Sequence, residues 1–221
     1  MRAHWILVCG LIASTRYAEA SEFEALVLVG GDHAYFCSGV VVAPRVVLTA
    51  AHCAHATRIS RALDAPSVLV SHAAIHPTED IAVLRVDRDL RIPLHPLRTD
   101  ATPPITQIAI VGFGVQDPIR VTGFGLKRVR RIMPDGWGCD ARRSRELGCR
   151  IHTELLLRGG RDNDTCFGDS GGGAFERIDD GWRLIGITSR GTFPKRVVCG
   201  EGGVYVRVDT VHEWLTRQGI K

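Results

Sequence analysis

The chain has 221 residues, 45% of them hydrophobic and 24% charged, and a formal net charge of +4, which excludes a disordered polyelectrolyte and allows a sizeable core. Length alone leaves one large domain or two small ones open. Twenty-four glycines and ten prolines, spread along the chain instead of gathered in one tract, favour short strands joined by tight turns, an all-β fold.

At the start, Arg2 and His4 precede an apolar run over residues 5–13, and Ala18-Glu19-Ala20 sets small residues two apart before Ser21. This is the pattern of a signal peptide over residues 1–20, and it implies secretion to the extracellular space or periplasm. No later stretch approaches the roughly 18 apolar residues that span a bilayer, so no membrane contact is expected after processing. Removal of the leader takes Cys9 with it and leaves Cys37, Cys53, Cys139, Cys149, Cys166 and Cys199. An even number in an exported chain points to three disulfides. Spacing does not choose among the pairings; the one with only local loops is Cys37 with Cys53, Cys139 with Cys149 and Cys166 with Cys199. No C-x-x-C pair occurs, so neither a metal nor a cofactor is expected.

Leu26-Val27-Leu28-Val29, Gly39-Val40-Val41-Val42 and Val46-Val47-Leu48-Thr49 are β-branched runs bounded by turn residues, and they read as strands. Further strands are expected over residues 67–70, 81–86, 108–111, 154–157, 173–178, 182–188 and 203–208. Strands at this spacing make sandwiches or barrels. The best linker signal lies over residues 98–106, with Pro103-Pro104 inside it, and the boundary between two similar β units is placed near residue 115, giving units of 21–115 and 116–207. The basic runs Lys127-Arg128-Val129-Arg130-Arg131 and Arg142-Arg143-Ser144-Arg145 are read as solvated loops; without stacking aromatics beside them, nucleic acid is not an expected partner. Helical spacing is confined to residues 208–221, where Val208, Val211, Trp214 and Leu215 share a face and Asp209 or Thr210 is a candidate cap.

Three local patterns carry chemistry. Gly168-Asp169-Ser170-Gly171-Gly172 sets a serine among glycines, where a tight turn exposes Oγ and aims backbone N–H groups one way; the same residues alone also describe a surface turn. Val47-Leu48-Thr49-Ala50-Ala51-His52-Cys53 brings a histidine to the end of an apolar strand, a candidate base near neutral pH. Glu79-Asp80-Ile81-Ala82-Val83-Leu84 puts an acid just before a buried strand, where its carboxylate can accept from an imidazole.

Together these segments resemble the signatures of the chymotrypsin/trypsin family of serine proteases, in that family's chain order of His, Asp, Ser. The resemblance runs from about Leu26 to the final helix. It implies two antiparallel six-stranded β-barrels with the active site between them and a C-terminal helix. It further implies His52, Asp80 and Ser170 as catalytic residues, the N–H groups of Gly168 and Ser170 as the oxyanion site, and polypeptides as substrates. Asp164, six residues before Ser170, stands where trypsin-like members keep the acid of the specificity pocket, implying cleavage after Arg or Lys. Ser189, Gly191 and Gly203 match the pocket walls. A monomer acted on by protein inhibitors is the expected setting.

The match departs from the pattern in places. Gly173 replaces a proline, Arg190 replaces a tryptophan, Thr192-Phe193-Pro194-Lys195 is inserted, and the interval from His52 to Asp80 is too short for the usual calcium loop. The family's Ile-Val-Gly-Gly amino terminus, which pairs with the acid before the nucleophile, here Asp169, is missing from its place. Leu28-Val29-Gly30-Gly31 mimics it too close to Cys37. Either processing leaves an amino terminus near Leu11 or Ile12, or cleavage falls at Ser21 and Asp169 finds another cation. The alternatives are a non-catalytic binding protein on the same fold and, more distantly, a zinc protein using His52, His55, His72 and His76.

Overall fold

The computed structural model describes residues 22–103, 106–132, 138–158, 164–179, 181–192 and 199–221. The expected signal peptide and the candidate amino termini at Leu11 and Ile12 lie outside these residues, as do Phe193, Pro194 and Lys195 of the insertion. The chain is mostly β, arranged as two six-stranded antiparallel sheets.

Strands β1 (Leu26–Gly30), β2 (Tyr35–Ala43), β3 (Val46–Thr49), β4 (Arg58–Ser60), β5 (Val68–Ile75) and β6 (Ala82–Val86) close into a barrel in the order β1-β2-β3-β6-β5-β4. Closure explains the sequence of β1: paired to β2 on one side and β4 on the other, its five residues are all buried, so the run has no polar alternation. Leu28-Val29-Gly30 therefore belongs to the barrel wall.

The second sheet holds β7 (Ile108–Gly112), β8 (Arg128–Ile132), β9 (Glu154–Leu157), β10 (Gly173–Ile178), β11 (Gly181–Gly191) and β12 (Gly203–Arg207), in the order β8-β7-β10-β11-β12-β9. Among the described residues its outer strands are β8 and β9. Strand β7, assigned to the first unit by the expected boundary near residue 115, pairs with β8 and β10. The change of sheet thus falls between Val86 and Ile108, in the stretch that carries the proline signal. Phe23 packs on Phe175 and Trp182 at 5.0 and 5.2 Å between ring centroids, so the two units share a core.

Among the described residues there are two α-helices, α1 (Ala141–Leu147) and α2 (His212–Arg217). Helix α1 falls on the run read as a solvated loop. It buries none of its residues, so no apolar period announces it, and its ends do the specifying: Asp140 accepts from the Arg143 N–H at 2.8 Å, Gly148 closes it at φ 73°, and a Cys139–Cys149 disulfide brackets it. Helix α2 begins at His212 and not at 208, because Asp209 accepts from the Arg207 guanidinium and Thr210 Oγ1 donates to the Arg207 carbonyl.

Candidate active site

The histidine segment is fixed before its side chain is considered. Strand β3 ends at Thr49, Ala50 stays extended, and a single 3₁₀ turn, Ala51–Cys53, carries His52 out while Cys53 is bound to Cys37 of β2. Asp80 precedes β6, the strand paired with β3, so the two side chains leave adjacent strand ends. The His52 Nδ1 lies 2.9 Å from Asp80 Oδ2, and the His52 backbone N–H donates to Asp80 Oδ1 at 3.1 Å. A carboxylate facing Nδ1 keeps the proton there and leaves Nε2 as the acceptor. Ser189 Oγ donates to Asp80 Oδ2 at 2.6 Å.

These bonds set the charge states. The hydrogen bond to Asp80 raises the His52 pKa above 6.5 against the opposing effect of burial. Burial works against an ionised Asp80, but the bonds from His52 and Ser189 outweigh it and hold this carboxyl at about 2.

Ser170 enters from the second unit and lines the same cleft of about 510 Å³ as His52, Asp80, Gly168, Ser189 and Gly191. Its turn is clamped on both sides. Ser38, in β2, is fully buried: its N–H donates to the Ser170 carbonyl at 2.8 Å, and its Oγ donates to the Gly168 carbonyl at 2.8 Å and accepts from the Phe113 N–H at 3.0 Å. Gly168 and Gly171 take φ of 90° and 82°, conformations that cost a side-chain-bearing residue. At Gly171 a Cβ would fall 2.1 Å from Thr49 Oγ1, so the two units meet there backbone to side chain.

The N–H groups of this turn divide sharply. Asp169 N–H donates to the Cys166 carbonyl, Gly171 N–H to that of Thr188 and Gly172 N–H to that of Asp169. Among the described residues, no hydrogen bond engages the N–H of Gly168 or Ser170, the pair expected to receive an oxyanion.

The pocket residues are placed unevenly. Ser189 and Gly191 line the cleft, whereas Asp164 and Gly203 do not; Thr165, Gly202 and Glu201 stand there instead. Asp164 is 5% exposed, accepts from the Thr165 N–H at 2.7 Å, and borders a small void of about 10 Å³ shared with Arg128, Arg130 and Asp169. Gly203 is packed behind, where a Cβ would lie 2.8 Å from Thr165 Oγ1. The three disulfides join Cys37 to Cys53, Cys139 to Cys149 and Cys166 to Cys199.

Sequence reasoning gave no site role to Ser38, Arg190 or Arg128. Ser38 is a fully buried serine next to the apolar run Gly39-Val40-Val41-Val42, a signal in hindsight. Arg190, known only as a replaced tryptophan, donates to both carboxylate oxygens of the buried Glu154 at 2.7 and 2.8 Å and to Ser189 Oγ at 3.0 Å. Arg128, read as part of a solvated loop, is a half-buried residue of β8, with its side chain 10% exposed and Nη2 3.4 Å from Asp169 Oδ2. The grouped histidines have separate engagements: His55 stacks on Phe36 at 4.7 Å and His76 Nδ1 accepts from the Glu79 N–H at 3.0 Å. The only compact set of potential metal ligands among the described residues is Cys37, His52 and Cys53, and both of its sulfurs are joined in a disulfide.

A family model described as Trypsin matches residues 12–215. The chain is 25% identical over 220 residues to the tryptase of Mus musculus, across 82% of this chain and 77% of that protein. It is 27% identical to transmembrane protease serine 5 of Homo sapiens, covering 87% of this chain, and 27% identical to CLIP domain-containing serine protease B4 of Anopheles gambiae, covering 84%. The matches span 48% and 62% of those two longer proteins.

Proposed function

Because the chain belongs to the trypsin family, we propose that it is a secreted serine endopeptidase with Ser170 as nucleophile, His52 as general base and Asp80 as the group that orients the base. One observation carries the reading: the His52–Asp80 pair, bonded at 2.9 Å, lines one cleft with Ser170 and Gly168, whose N–H groups are the two left unengaged in their turn.

In this reading Ser170 Oγ bonds to the carbonyl carbon of a peptide as its proton passes to His52 Nε2, and the carbonyl electron pair moves onto oxygen, between the N–H groups of Gly168 and Ser170. Collapse of the adduct breaks the C–N bond, and His52 returns the proton to the departing amine. Water then repeats the sequence on the acyl-enzyme, releasing the acid and restoring the serine. Each oxyanion donor contributes on the order of 3 kcal/mol in sites of this kind. Secretion is supported by the leader pattern, and no helix among the described residues is long and apolar enough to cross a membrane.

Cleavage after Arg or Lys is the proposed specificity. Two acids support it: Glu201, which lines the cleft, and Asp164, which lies behind the wall that Thr165 presents. A cationic side chain is attracted to nearby carboxylates in a way that a neutral one is not. The placement ranks them, so Glu201→Gln lowers kcat/KM on arginyl substrates more than on phenylalanyl ones, and Asp164→Ser adds to that loss. The test of the whole reading is turnover of arginyl, lysyl and phenylalanyl chromogenic peptides, with covalent labelling by an organophosphonate, for the wild type and Ser170→Ala. Label on wild-type Ser170 and none on the variant is the expected result; equal turnover by both proteins, or an unlabelled wild type, refutes it.

A further inference from the structure

A carboxylate buried directly before the nucleophile is a liability unless something holds it. Asp169 is 5% exposed. Its Oδ1 accepts from the Gly114 N–H at 2.7 Å, and its Oδ2 accepts from the Cys166 N–H at 2.8 Å and faces Arg128 Nη2 at 3.4 Å. Burial pushes the Asp169 carboxyl up, and the charge of Arg128 followed by the two N–H groups works against that push. Such a group without a cation either protonates or turns outward, and the bond from Asp169 N–H to Cys166 ties any such movement to the turn that holds Gly168 and Ser170.

The socket is built from the strand pairing. Arg128 opens β8 directly opposite Gly112 of β7. A Cβ at Gly112 would lie 2.2 Å from Asp169 Oδ1, and one at Gly114 would lie 2.4 Å from Oδ2. Neither glycine has a positive φ, so neither is required by backbone conformation. Both leave space, and the carboxylate fills it. The register that opposes Arg128 to a bare strand position is therefore what lets the guanidinium reach an acid from a distant segment.

We propose that Arg128 is the internal counter-ion that keeps Asp169 turned inward and the Gly168 and Ser170 N–H pair formed, so that this chain is catalytically assembled without a freed amino terminus. The inference rests on the proposed endopeptidase reading. Arg128 acts through Asp169 and touches no substrate; it is a positioning residue. The family's device for the same acid is an α-ammonium that becomes available only on cleavage, and a guanidinium fixed in a strand is charged at every working pH from the moment of folding.

The experiment uses the full secreted chain. Wild type, Arg128→Gln and Arg128→Lys are compared in kcat, KM and rate of Ser170 labelling by an organophosphonate, with and without millimolar guanidinium, against equal sodium chloride. Thermal melts establish that each variant is folded. In parallel, wild-type protein is prepared with differing amino-terminal residues and with its terminus acetylated. The expected result is that every wild-type form labels alike, that Arg128→Gln loses about 10²-fold in kcat and in labelling with little change in KM, and that guanidinium but not sodium restores at least part of it. Arg128→Lys falls between. If the wild type labels and Arg128→Gln labels equally fast, or if labelling vanishes on acetylation, the counter-ion assignment is wrong while the endopeptidase reading stands. A wild type that takes no label under any of these conditions overturns both. An Arg128→Gln chain that does not fold leaves the acetylated and varied termini to decide the matter.

Discussion

Replacing Gly114 with alanine isolates the packing of the acid from its charge. The added Cβ would meet Asp169 Cγ and Oδ2 at 2.4 Å and Oδ1 at 2.7 Å, distances at which one group must move. Because Gly114 has no positive φ, alanine is tolerated by the backbone itself. Two effects follow. Overfilling a closed site costs about 1–3 kcal/mol of stability. Displacing the carboxylate also breaks the 2.7 Å bond from Gly114 N–H and strains the 2.8 Å bond from Cys166 N–H, each about 1.5–3 kcal/mol for a charged acceptor. Loss of one aligned oxyanion donor lowers kcat by about 10²-fold. The assay is kcat and KM on a peptide amide alongside a denaturant melt. Gly31→Ala is the control, since a Cβ there meets nothing nearer than Thr57 Oγ1 at 3.9 Å. Should Gly114→Ala match Gly31→Ala in both measurements, the idea that Asp169 is held by shape and bonding is refuted.

Three further outcomes are expected. The raised His52 pKa places the acid limb of kcat/KM above pH 6.5, since the base must be neutral, and Asp80→Asn moves that limb down as it lowers the plateau by about 10⁴-fold; a pH–rate profile reads both. The Cys166–Cys199 disulfide closes 33 residues of sequence, so Cys166→Ala with Cys199→Ala loses about 4 kcal/mol in chemical unfolding on the loop-entropy account. Arg98 is 1% exposed and pairs with the buried Glu176 at 3.2 Å and with Asp100 at 3.1 Å, so Arg98→Ala destabilises by about 3 kcal/mol; a loss under about 1 kcal/mol would show that Arg183 alone satisfies Glu176.

The segments bearing His52, Asp80 and Ser170 were legible because each is a local pattern: an apolar strand that stops at a histidine, an acid that precedes a buried strand, a serine among glycines. The strands that were read correctly share that property, with β-branched runs bounded by turn residues. Strand β4 is three residues long and gives no period to read. Helix α1 is amphipathic in neither sense, since it buries nothing, and only the Asp140 and Gly148 caps reveal it. Strand β8 reads as a charged loop because arginines occupy successive positions on both of its sides. Asp164 sits at the expected distance from Ser170 in the chain, but distance along the chain does not fix which neighbour lines the cleft, and here Thr165 lines it while Asp164 borders the small void beside it.

What distinguishes β8 from a loop is the company its side chains keep. Arg128 lies beside Asp169, while Arg131, on the opposite side of the strand, bonds Glu22 at 2.6 Å and lies over the Trp182 ring at 5.2 Å. Charged residues on both sides of a strand are tolerable only when each side finds acids or aromatic faces, and none of those partners is near in sequence. The glycines tell the same story from the other strand. Gly112-Phe113-Gly114 leaves one side bare at both glycines while Phe113 is buried on the other. A reader of sequence takes such glycines for turn residues, yet their φ values are ordinary, so they mark room for another group. That group is the Asp169 carboxylate next to Ser170, and the Arg128 guanidinium, the counter-ion proposed for it, reaches it from the second sheet.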